Sequence, residues 1–158
     1  MKPDEIIRRQ RLALGLSKKD VYEAIGLTAS EYVDMEEFPS EAILVPPLAV
    51  LKKLCKVLNV DLLELIGEKC QCCQGKIQHL EYSGQPRHLL LARRREERGL
   101  SRKDFAEQLG FEEWVFVEME QKEDFLEQRT VDFIRKLARK LALPVQVLLA
   151  YPCPKCKQ

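Results

Sequence analysis

The sequence predicts an all-α chain made of two tandem five-helix domains, and three observations carry that prediction. The chain repeats itself at a spacing of 84 residues. Its apolar residues recur at intervals of three and four rather than in strict alternation. Ser, Gly and Pro fall where helices would start and stop.

The repeat organises everything else. A shift of 84 sets Gly15, Leu16 and Ser17 on Gly99, Leu100 and Ser101, Asp20 on Asp104, Glu23 on Glu107, and Gly26 on Gly110. It also sets Val33, Met35 and Glu36 on Val117, Met119 and Glu120. One residue is lost in the next loop, after which a shift of 83 places Leu54, Leu58 and Leu65 on Leu137, Leu141 and Leu148. The same shift carries Cys70 and Cys73 onto Cys153 and Cys156, so the cysteine pairs belong to the repeat unit. The implied division is a first domain over 1–69, a cysteine-containing linker over 70–85, a second domain over 86–152 and a cysteine tail over 153–158. Two copies of one unit are expected to pack about a pseudo-twofold axis, as an internal pseudo-dimer.

Within the first copy, helix 1 is expected from Pro3 to Leu14, with Pro in the first turn and Gly15 as a left-handed stop. Helix 2 follows Ser17, whose hydroxyl can cap it while Asp20 favours the same positive end. Gly26 closes it. Helix 3 is expected over Thr28–Glu37, helix 4 over Pro47–Leu58 and helix 5 over Asp61–Ile66. In the second copy the last three are expected near Glu112–Lys122, Glu127–Leu141 and Pro144–Tyr151. Val21, Ile25, Tyr32 and Met35, with Phe105, Leu109, Phe116 and Met119, occupy the core-facing stripe.

Composition limits the function. The 158 residues are 46% hydrophobic and 32% charged, a globular balance. No stretch approaches the ~20 apolar residues of a membrane span, since the run Ala42–Val50 is broken by Pro46 and Pro47. Met1 leads directly into Lys2, Pro3, Asp4 and Glu5, without the apolar core of a signal peptide. A cytoplasmic chain is expected, in which the six cysteines stay reduced.

Reduced cysteines in symmetric pairs point to metal. Each Cys-x-x-Cys lets two thiolates meet one tetrahedral ion, and two pairs complete a four-cysteine site made of Cys70, Cys73, Cys153 and Cys156. Structural Zn²⁺ is the expected occupant. An iron–sulfur cluster or a thiol switch is the alternative. Cys72 could replace Cys73, and His79 is a further substitute ligand. Cys55 sits in an apolar run and is expected in the core. A site filled by four protein ligands has no open position for a substrate. Together with the absence of a Gly-rich phosphate loop, a nucleophile elbow or a His-containing catalytic pair, this argues against an enzyme.

The strings RRQRLALGLSKKDVYEAIGLTASEYVDME and ARRREERGLSRKDFAEQLGFEEWVFVEME resemble the Cro/C1 (XRE) helix-turn-helix family, whose domains are lambda-repressor-like. The Gly-Leu-Ser opening of helix 2, the Gly closing it and the final Glu36 or Glu120 of helix 3 carry the resemblance; Tyr22 departs from the small residue usual there, while Ala106 keeps it. The resemblance implies a DNA-binding transcription regulator, with helix 3 in the major groove and the start of helix 2 on phosphates. On that basis Lys18 and Lys19 would meet the backbone, and Thr28, Ala29, Ser30 and Asp34 would face bases. In the second copy the corresponding residues are Arg102 and Lys103, then Glu112, Glu113, Trp114 and Glu118. Two such helices would address double-stranded DNA about one turn apart, ~34 Å.

Charge supports a second reading. The net charge is +1, from 26 basic and 25 acidic residues. Residues 1–68 hold 9 basic and 12 acidic groups, and residues 86–152 hold 13 and 12. Helix 3 and its loop carry Glu31, Asp34, Glu36, Glu37 and Glu41 with no cation, and the second copy carries Glu112, Glu113, Glu118, Glu120, Glu123 and Asp124 against Lys122. Such surfaces also suit an interaction module that binds a basic protein or mimics DNA. Arg8, Arg9 and Arg11, with Arg93, Arg94, Arg95 and Arg98, read as solvated helix faces or as phosphate-contacting edges.

Overall fold

A computed structural model describes residues 1–75 and 84–156. Among these, the chain is all-α, with eleven α-helices and two short 3-10 turns. None of those helices is long and apolar enough to cross a membrane.

The local chemistry expected at each helix start is present in the first half. α1 (Pro3–Ala13) begins at a proline, and the Lys2 N–H donates to Glu5 Oε2 at 3.0 Å. α2 (Lys18–Ile25) is capped reciprocally: Asp20 N–H donates to Ser17 Oγ at 3.1 Å and Ser17 N–H donates back to Asp20 Oδ2 at 2.8 Å. Gly26, at φ 78°, turns the chain away. α3 (Ala29–Glu37) uses Thr28 and Glu31 in the same way. A four-residue α4 (Glu41–Leu44), which the sequence pattern does not announce, precedes α5 (Leu48–Leu58) and α6 (Leu62–Leu65).

The second half contains α7 (Arg87–Glu97), α8 (Arg102–Leu109), α9 (Glu113–Gln121), a 3-10 turn Phe125–Gln128, α10 (Val131–Leu141), α11 (Val145–Leu149) and a 3-10 turn Pro154–Cys156. α1, α2 and α3 match α7, α8 and α9 in length, each pair offset by the spacing of the sequence repeat. The 3-10 turn at Phe125 occupies the place of α4. This turn corrects the expected start of helix 4 at Glu127: the helix begins at Val131, where the Thr130 hydroxyl takes the Phe133 N–H at 3.3 Å. The stripe residues are buried except for Leu109, which is only half-buried.

Arg11 and Arg95 are corrections of a larger kind, because neither lies on a solvated face. Arg11 is 8% exposed and Arg95 6%. Arg11 Nε donates to Glu36 Oε1 at 2.6 Å and Nη2 to Oε2 at 3.2 Å, while Nη1 reaches the Leu16 carbonyl at 3.0 Å. Tyr32 Oη donates to the same carboxylate at 2.7 Å. In the second half Arg95 pairs with Glu120 at 2.5 and 3.2 Å and with the Leu100 carbonyl at 2.6 Å. Phe116 stands at the place of Tyr32, and Arg102 supplies the missing donor to Glu120 at 2.7 Å. Each pair ties the first helix of its half to the end of the third and to the loop opening the second.

The halves meet reciprocally. α5 packs on the 3-10 turn Phe125–Gln128, and α10 packs on α4. The Leu48 N–H donates to the Arg129 carbonyl at 2.8 Å, and Glu127 accepts from Lys52 at 2.6 Å and Arg87 at 2.8 Å. Arg135 reaches Glu68 at 3.0 Å and also the Ile66 carbonyl.

Removing one member of a buried ion pair leaves the other charge unpaired. Arg11→Ala or Glu36→Ala should therefore cost about 3–5 kcal/mol in urea unfolding, and Glu120→Ala a similar amount. Burial alone would raise Glu36, but the hydrogen bonds from Arg11 and Tyr32 outweigh it and hold the carboxyl below its ordinary 4.5. Glu120 is lowered likewise, by Arg95 and Arg102 against burial. Their contribution is present above that ordinary value and should fade as pH falls below it, steepening acid unfolding relative to Glu36→Gln.

Candidate metal centre and nucleic-acid interface

The first cysteine pair follows directly from the end of α6. Gly67 and the Glu68 N–H, which donates to the Leu63 carbonyl at 2.8 Å, close that helix and release the chain at Cys70. Residues 71–75 then form a tight turn, with Gln74 N–H on the Cys70 carbonyl at 3.2 Å and Gly75 N–H on the Cys72 carbonyl at 3.0 Å. This fold-back brings Cys73 beside Cys70. The second pair is set by the 3-10 turn Pro154–Cys156, in which the Cys156 N–H donates to the Cys153 carbonyl at 3.1 Å.

The two pairs converge. Cys70 Sγ lies 3.6 Å from Cys156 Sγ, and Cys73 Sγ lies 3.3 Å from Cys156 and 3.9 Å from Cys153. All four sulfurs fall within 4.8 Å of one another. Four thiolates at ~2.3 Å from a tetrahedral ion stand roughly 3.8 Å apart, so the set fits one metal ion. An S–S bond would need about 2.05 Å, and all six cysteines are free. Cys70 and Cys153 are buried, Cys156 is half-buried and Cys73 is exposed.

Charge in the cluster is shared. Burial pushes the Cys70 thiol up, but the Cys73 backbone N–H and the thiols of Cys153, Cys156 and Cys73 more than offset this and leave it at about 6. Cys156, hydrogen-bonded to Cys73, is pushed up in turn. One thiolate surrounded by thiols is the arrangement a cation would displace protons from. Lys69 and Lys155 line the adjoining depression, where they offset the net negative charge of four thiolates around a dication. The Gln71 N–H donates to Gln146 Oε1 of α11 at 3.1 Å, tying the first turn to the second half.

Of the other cysteines, Cys72 is half-buried and lies outside the four-sulfur group. Cys55 is in the core, where burial pushes its thiol up to about 12. His79 lies outside the described residues.

The residues assigned to DNA contact occupy the exposed side of α2–α3 and α8–α9. Thr28, Ala29 and Ser30 are exposed and Asp34 is half-buried; Glu112, Glu113 and Trp114 are exposed, Trp114 by 58%, and Glu118 is half-buried. The basic groups are partly engaged. Lys18 lies 3.8 Å from Glu36, Arg102 is bound to Glu120, Lys19 lies 3.7 Å from Glu23, and Lys103 is exposed. Sequence reasoning missed the destination of Glu36 and Glu120: both are buried and neutralised, so neither adds to the acidic surface of the third helices. Their recurrence at the same repeat position as an arginine was the signal.

Residues 7–65 match the helix-turn-helix family of the Cro/C1 type, whose domains are typically DNA-binding and non-enzymatic. The curated proteins and the solved structures contain no match to the chain.

Elemental analysis of purified protein should find one divalent ion per chain, removed by the double change Cys153→Ser with Cys156→Ser. A chelator should lower the unfolding temperature of the wild type and leave that of the double variant unchanged. Because the ligands bind as thiolates, metal affinity should fall as pH is lowered. Two ions per chain, or none, would mean separate sites or a disulfide.

Proposed function

We propose that the protein is a DNA-binding transcription regulator in which two tandem helix-turn-helix domains, over 1–69 and 86–152, are held in a fixed pseudo-twofold relation by one structural zinc. The observation that carries this reading is the helix-turn-helix match over residues 7–65, with the first turn of α3 open to solvent behind a capped α2. In that arrangement Thr28, Ala29, Ser30 and Asp34 offer hydroxyl, methyl and carboxylate groups to base edges, while Lys18 and Lys19 meet phosphates. Lys18 leans toward Glu36 and is still well exposed, so it can turn outward. Arg102, Lys103, Glu113 and Trp114 are the equivalent set of the second domain. Glu113 can accept from a cytosine amino group, and Trp114 can lie against a thymine methyl.

Zinc is supported by the donor set. Four thiolates suit a borderline-soft ion without redox chemistry, and sulfurs packed this closely fit one ion better than a polynuclear cluster with bridging sulfides. Its part is architectural. Each half has few residues with which to build a core, and a metal drawing two ligands from each fixes the angle between the recognition helices. The linker 70–85 and tail 153–158 would then serve as the two arms of the staple.

A second reading, an interaction module for a basic protein or a DNA mimic, is favoured by the unpaired carboxylates Glu112 and Glu113 at the start of α9 and by the engagement of Arg102 with Glu120. Gel-shift experiments separate the two. Genomic fragments should be retarded at low salt, with an affinity that falls steeply as salt rises. Lys18→Glu with Lys19→Glu should weaken binding roughly tenfold or more and flatten the salt dependence by about one unit per lost phosphate contact. Absence of retardation at micromolar protein would eliminate the DNA reading and leave the interaction module.

A further inference from the structure

The repeat supplies an internal control on what the fold requires. Phe38, Leu44 and Val45, at the end of α3 and along α4, are 52%, 50% and 53% exposed in the whole chain. At the corresponding places in the second half stand Lys122, Gln128 and Arg129. Those residues do what a surface asks of them: Lys122 pairs with Glu118 at 3.0 Å, and Arg129 covers Phe125, its guanidinium carbon 4.3 Å from the ring centre. The same architecture therefore forms with polar groups here. Three large apolar side chains in solvent serve no folding purpose that the other half shares.

The surroundings are equally one-sided. Between Val21 and Leu51 there is no Lys or Arg, while Glu23, Glu31, Asp34, Glu36, Glu37 and Glu41 fall in that stretch. Glu36 is internal, but Glu37 and Glu41 flank the apolar residues, and no described cation pairs with either. An apolar surface edged with unpaired carboxylates repels DNA and anionic lipid. It also opposes a symmetric contact with a second copy, which would bring the same carboxylates face to face.

We infer that the α3–α4 surface of the first half, built on Phe38, Leu44 and Val45 and edged by Glu37 and Glu41, docks a cationic amphipathic segment of a protein partner. Apolar residues of that segment cover the three side chains, and its Lys or Arg residues meet the two carboxylates. The surface lies beside the base-facing turn of α3 rather than on it, so the inference stands whether or not α3 reads DNA.

The test uses a labelled helical peptide with one leucine face and one lysine face, titrated with the full-length metal-bound protein and followed by fluorescence anisotropy. The wild type should bind it. Phe38→Lys, Leu44→Gln and Val45→Arg together install the residues that the second half already carries, and should weaken binding roughly tenfold or more. Glu37→Gln with Glu41→Gln leaves the apolar residues in place and should weaken it less, in a salt-dependent way. A peptide of the same pattern with glutamate in place of lysine should not bind. The inference is overturned if the wild type fails to bind the lysine peptide, if the triple variant binds it as well as the wild type, or if the glutamate peptide binds equally. It is also overturned if the wild type alone sediments as a dimer that the triple variant abolishes, for the occupant would then be a second copy.

Discussion

Each half of the molecule is organised around one arginine and one glutamate removed from water together. Arg11 and Glu36 link the first helix to the third, and because the same guanidinium also holds the Leu16 carbonyl, the turn that opens the second helix is fixed by the same contact. Arg95, Glu120 and the Leu100 carbonyl repeat the device. Removing two charges from solvent is costly, and the arrangement persists because each carboxylate has a third donor: the Tyr32 hydroxyl in one half and Arg102 in the other. The different solutions to one requirement show what is constrained. A donor must be there, and its origin is free.

These pairs also change how the charge of the third helices is counted. Glu36 and Glu120 look in the sequence like further carboxylates on an already acidic segment, and they are instead internal counter-ions. The surface that remains has its own logic. Asp20 and Glu31 are spent on capping boxes, so their charges sit against the backbone N–H groups of α2 and α3 rather than facing outward. Both carboxyls are held low by their partners, Asp20 by Ser17 and Glu31 by Thr28. What a ligand would meet on the first turn of α3 is consequently less anionic than the composition suggests.

Much of this is legible in the sequence because it is local. Ser17, Gly26 and Thr28 act on their immediate neighbours, and the structure puts helix ends where these residues ask for them. The cysteine pairs are legible through the repeat, since identical spacing in two copies implies a shared purpose. Arg11 is not, because its partner is 25 residues away and helical periodicity alone cannot distinguish a guanidinium that snorkels inward from one that is solvated. The early start expected for the helix at Glu127 fails for a similar reason: Phe125–Gln128 has a helical pattern, but Thr130 offers a better cap and the preceding turn stays separate. Leu109 keeps the apolar type of its stripe although its site is only half covered, a distinction that residue type does not encode.

The four sulfurs also act on the chain when it is not folded. Cys70 and Cys156 are 86 residues apart, so an ion that keeps hold of both pairs after the helices melt closes almost the whole second half into a ring. By the chain-entropy account of cross-links, a loop of that size restricts the unfolded ensemble by about 4–5 kcal/mol. The ion would then work less as a bond in the native state than as a limit on how far the two ends of the second domain can wander from each other. Refolding would start from a closed loop, with α11 already near the turn it must meet.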